Sequence, residues 1–141
     1  MSSTEKPRLF IQREDRELYK NIAKREAIFK TDNEHQYLYA LSLGFRNDIP
    51  KPITSKDGFA FENYFDESER SLFKAIALYK TKNLGILANK QELLKIADEY
   101  AHSGIHILDQ KTSSQQFGTY IKQEEVEVKE IYKEYKVKIQ Q

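Results

Sequence analysis

Tyr37-Leu38-Tyr39-Ala40-Leu41-Ser42-Leu43-Gly44-Phe45 carries no charge in a chain of which 32% is Asp, Glu, Lys or Arg. Wound as a helix, it points apolar side chains in every direction. Such a helix has to be surrounded by other elements to leave water. The stretch therefore reads as a central helix over 37–46, and its neighbours on either side read as covers.

Thr31-Asp32-Asn33 precedes it, three capping-type residues that signal a helix start. Arg46-Asn47-Asp48 follows, and Pro50 and Pro52 forbid continuation. Upstream, Asp15 reads as an N-cap for a helix to about Phe29. Leu18, Ile22 and Phe29 fall near one face, with Arg16, Glu17, Lys20 and Lys24 opposite. Arg8–Arg13 is a short strand-like stretch that would need a partner, and residues 1–7 read as a disordered lead-in.

Downstream, Ile49 to Phe61 reads as a loop, rich in Pro, Ser, Asp and Gly. A third helix runs from Glu67 to about Lys82, capped by Asp66 or Ser68. Asn83-Leu84-Gly85 breaks it. Asn89 caps a fourth helix from Lys90 to about Leu108, in which Gly104 points to close helix packing. Lys111-Thr112-Ser113-Ser114 reads as a linker. In Gln115–Gln141, Phe117, Ile121, Val128, Ile131 and Tyr135 fall at helical spacing. Tyr135, Val137 and Ile139 also alternate with lysines as an edge strand would, so both stand for 126–141, with helix to about Tyr135 and a frayed end beyond it as the favoured reading. The fold class expected is mainly α: about five helices in a compact bundle around the central one, with a short N-terminal strand. Residues 8–141 form one domain, with a frayed C-terminal end.

With 12% aromatic residues, nine Tyr and eight Phe, a thin aliphatic content can still build a core. The net charge of +1 excludes a strong global pull on nucleic acid or membrane, but allows a local basic patch. There is no Cys, hence no disulfide, thiolate metal site or cysteine nucleophile. No run approaches the roughly 18 apolar residues of a membrane span, and the first residues lack a signal-peptide core. A cytoplasmic protein without membrane contact is expected.

Catalysis finds little footing. His102 and His106 lie four apart on a helix, with Asp98 or Asp109 as a conceivable carboxylate, but His35 is distant. Zinc takes three or four protein ligands, so the pair reads as two surface histidines and no metal is expected. Glu124-Glu125-Val126-Glu127 and Asp66-Glu67-Ser68-Glu69 read as solvated faces. No serine sits in a nucleophile elbow, and the five glycines form no P-loop or dinucleotide fingerprint. No catalytic residue or cofactor is expected.

Binding has better candidates. Arg13, Arg16, Lys20 and Lys24 follow at spacings of three, four and four, a stripe that could track a phosphate backbone. Arg46 joins them as a candidate contact; Glu14, Glu17 and Glu26 dilute the stripe, and a plain solvated face is the alternative. Phe59, Phe61, Tyr64 and Phe65 read either as a loop pinned to the core or as an interaction surface for stacking or peptides.

Leu18-Tyr19-Lys20, Phe29, the stretch Tyr37 to Arg46, Leu72-Phe73-Lys74-Ala75-Ile76-Ala77-Leu78 and Ile96 to Ile105 together resemble a family of small proteins encoded beside DNA phosphorothioation (Dnd) systems. The likeness spans Asp15 to roughly Gln116. It implies a non-enzymatic accessory role in DNA modification or antiviral defence, with double-stranded DNA and other proteins of the same system as partners. A looser likeness links the first third to ribbon-helix-helix DNA binders. It implies that the strand pairs with its copy in a homodimer. The alternative function is a protein–protein interaction module without nucleic-acid contact, using 59–65 and the amphipathic C-terminal helix.

Overall fold

The computed structural model describes residues 6–26, 29, 33–113, 129–130 and 132–134. In chain order they form β1 (Arg8–Gln12), α1 (Arg16–Arg25), α2 (Asn33–Arg46), β2 (Lys56–Phe61), α3 (Glu67–Thr81) and α4 (Lys90–Ser113). Short 3-10 turns occupy Arg13–Asp15, Glu62–Tyr64 and Leu84–Ala88. The fold is mainly α, as expected.

The uncharged stretch lies in α2. Tyr37, Ala40, Leu41, Leu43 and Gly44 are buried, while Leu38, Tyr39 and Phe45 are half-buried against the core. Its chief partner is α4, which also packs on α1, α3 and β1 and so shares the centre of the fold. Glycines set how close the two helices come. A Cβ on Gly104 would collide with the carbonyl oxygen of Ala40, and one on Gly44 with that of Tyr100. Backbone therefore lies on backbone at both points, and the roughly 1 kcal/mol of helix propensity lost at Gly104 is outweighed by packing.

Local chemistry sets the ends. Asp66 Oδ1 accepts from the Glu69 amide at 2.8 Å, and Glu69 Oε1 accepts from the Asp66 amide at 2.9 Å, a complete capping box for α3. Asn89 Oδ1 accepts from the Glu92 amide at the start of α4. After α2 the chain turns through Asp48 at φ 52°. The fourth helix runs through Leu108 to Ser113, so the stretch read as a linker is mostly helix.

The loop reading of 49–61 needs correction at its second half. Lys56–Phe61 is a strand, antiparallel to β1, in a register from Arg8 opposite Phe61 to Gln12 opposite Lys56. A bulge falls where Leu9 and Phe10 face Ala60 and Gly58. It breaks the period-two pattern that marks a strand in sequence. The Gln12 side chain ties the preceding loop by accepting from the Thr54 amide at 2.9 Å. Thus the partner that the short first strand needs is β2 of the same chain.

Most of the C-terminal segment 115–141 lies outside the described residues; 129–130 and 132–134 are helical. Among the described residues, no helix is long and apolar enough to cross a membrane.

Candidate functional site

Strand alternation sends Leu9 and Ile11 into the core. Arg8 and Phe10 line a cleft between the two-stranded sheet and the first half of α4. The cleft measures about 1090 Å³ and takes Lys56 and Phe61 from β2, Tyr64 from the turn after it, and Lys95 and Asp98 from α4. Cations and rings are interleaved: the Arg8 guanidinium lies 4.6 Å from the Phe61 ring centre, and Lys56 Nζ lies 5.2 Å from that of Phe10. Lys6, Arg8, Lys56, Lys90 and Lys95 stand against Glu92, Asp98 and Glu99. Lys90 is engaged by Glu62 at 3.0 Å.

Asp98 is built into the wall. Its Oδ1 accepts from the Tyr37 hydroxyl at 2.8 Å and from the Phe10 amide at 3.1 Å. Burial pushes its carboxyl well above the usual carboxylate range, outweighing those two hydrogen bonds and the pull of Lys56. Burial and the same carboxyl push the Tyr37 phenol up as well.

The cations proposed from spacing fall into two groups. Arg16 is committed to structure: its Nε meets Asp57 Oδ2 at 2.6 Å and its Nη2 donates to the Gly58 carbonyl at 2.8 Å. This contact holds the Asp57 carboxyl below its ordinary value. Arg13, Lys20, Lys24 and Arg46 are exposed, with Arg13 Nη2 3.4 Å from the Lys56 carbonyl.

The four rings also divide. Phe65, at 1% exposure, belongs to the core beside Tyr37 and Phe73 and presents no ring to a partner. Phe59 packs half-buried on Tyr19 and Tyr37. Phe61 is half-buried, and Tyr64, at 60% exposure, stands outermost.

His102 and His106 do share a side of α4, but the acid that meets them is neither Asp98 nor Asp109. Asp109 pairs with Arg25 at 2.7 Å. Asp15 approaches instead, with Oδ1 3.0 Å from His106 Nε2 and Oδ2 3.4 Å from His102 Nε2. His102 is buried, so of this pair His106 alone is a surface histidine. Asp15 was legible only as a helix cap, and it makes no capping hydrogen bond.

Residues 8–135 match the sequence family described as DNA sulphur modification system-associated protein 4, and the chain belongs to that family. No curated protein and no solved structure matches it.

Proposed function

We propose that this member of the DNA sulphur modification system-associated protein 4 family is a non-enzymatic accessory protein that acts by holding the DNA backbone. The family ties the chain to a DNA sulphur modification system. The observation that carries the reading is the basic, ring-lined cleft. Arg8, Lys56 and Lys95 supply charge for phosphate, while Phe10, Phe61 and Tyr64 supply flat apolar surface beside it. Exposed Arg13 lies next to Lys56 and extends that basic surface. The absence of a nucleophile elbow, P-loop and cysteine from the sequence supports contact over catalysis.

A gel-shift titration with plain and phosphorothioated duplex tests this. The wild-type chain should shift at least one of them at low salt. Arg8→Gln with Lys95→Gln should weaken binding more than Lys20→Gln with Lys24→Gln. No shift of either duplex, or equal loss in both pairs of variants, contradicts the cleft as the DNA surface.

A second reading has its own observation. Leu72 and Tyr79 on α3, and Leu84 and Leu87 in the turn after it, are exposed. They suit a protein contact better than the rings at 59–65, of which Phe65 is core. If another protein of the system docks there, Leu84→Asp should abolish its co-purification; undiminished capture rules this surface out.

A further inference from the structure

We infer that Asp15, His102 and His106 bind one divalent transition-metal ion of the zinc class. The two imidazoles leave α4 one turn apart and project to the same side. The 3-10 turn ahead of α1 delivers Asp15 to them. One donor atom from each residue lies within 4.8 Å of the other two.

The hydrogen bonding around His102 fixes its ligand atom. Its Nδ1 lies 3.1 Å from the carbonyl oxygens of both Lys51 and Pro52. Carbonyls only accept, so Nδ1 carries the hydrogen and a neutral ring keeps its lone pair on Nε2. Backbone carbonyls in this position orient metal-binding histidines and raise their basicity. That lone pair faces Asp15 Oδ2, another acceptor, across 3.4 Å. Asp15 is 5% exposed and its Oδ2 has no hydrogen-bond partner. With the ring neutral, two acceptors confront each other in a buried gap, a costly arrangement that a metal ion between them, or a proton on Nε2, relieves.

The spacing suits a metal. Bonds of about 2.0–2.1 Å to a tetrahedral ion place neighbouring ligand atoms about 3.3 Å apart. His106 Nε2 lies 3.0 Å from Asp15 Oδ1 and His102 Nε2 3.4 Å from Asp15 Oδ2, so each imidazole faces its own carboxylate oxygen at about that spacing and an ion between the rings would meet the carboxylate through both. Imidazole with carboxylate favours first-row transition ions over magnesium or calcium, which take oxygen ligands. The His106 side chain is 46% exposed, giving an ion a route from solvent and a position for water. Bound metal would weld the β1–α1 junction to α4, with the Lys51–Pro52 backbone as its outer support. This inference is independent of the DNA-contact reading.

The test uses the untagged full chain. Metal content is measured after purification, and the chelator-stripped protein is titrated with Co2+, followed by visible absorption, and with Zn2+, followed by melting temperature. One equivalent per chain should bind, with a tetrahedral or five-coordinate cobalt spectrum and a raised melting temperature. His106→Gln removes a half-exposed side chain, so the fold persists while affinity drops by at least about tenfold. Asp15→Asn should act alike. A folded wild-type chain with no cobalt spectrum and no melting shift overturns the site. So does undiminished binding in both variants, which would place the ion elsewhere.

Discussion

Asp98 connects core to cleft at the residue scale. Its folded form holds a proton more tightly than the unfolded chain does, because burial disfavours the charge. Below the ordinary carboxyl value of 3.8 both states hold that proton, and the stabilising contribution is whole. As pH rises the unfolded chain releases its proton first, and stability falls through the folded value. Asp98→Asn keeps an acceptor for Tyr37 and Phe10 without the charge. Urea melts between roughly pH 4 and pH 8 should show a flatter decline for this variant. A slope equal to wild type would mean that Asp98 does not control it. The glycine contact makes a second prediction at this scale. Gly104→Ala must push backbone from backbone, so its urea midpoint should fall by the equivalent of about 2 kcal/mol or more. An unchanged midpoint would contradict the close approach of Gly104 to Ala40. Gly104 was legible in advance as a packing glycine, because a glycine inside an otherwise regular helix has few other uses. Asp15 was not: the two histidines that its carboxylate faces sit on α4, far along the chain.

Among the elements, boundaries with local chemistry were readable and pairings were not. The starts of α3 and α4 follow from Asp66 and Asn89, whose side chains bond to backbone three residues ahead. Asp66→Ala should therefore cost α3 about 1 kcal/mol, read as a lower urea midpoint, whereas Ser68→Ala should cost little. Equal losses would deny Asp66 its role as cap. The second strand escaped detection for a physical reason. Gly58 and the bulge interrupt its alternation, and its partner lies at the other end of the first three elements. The aromatic cluster divides along the same line, since only tertiary packing decides which ring turns inward. Phe65→Ala should lower stability by about 3–5 kcal/mol, and Tyr64→Ala by less than about 0.5 kcal/mol. Thermal melts of the two variants read this contrast directly, and similar losses would refute it.

On the scale of the whole molecule, the cleft exists because the β1–β2 pair lies beside the first half of α4. Arg8, Lys56 and Lys95 come from three separate elements, so no window of sequence contains the basic surface. A helical stripe such as Arg13, Arg16, Lys20 and Lys24 is visible in one window, but Arg16 is taken up by Asp57 and Gly58. Counterion release provides the most direct test of contact through the cleft. Affinity for duplex DNA is measured across a salt series for the wild-type chain and for Arg8→Gln/Lys56→Gln/Lys95→Gln. If the three cations meet phosphates, the triple variant should bind more weakly, and its log–log salt slope should be shallower by about 3. Identical slopes and affinities in the two chains would contradict the account.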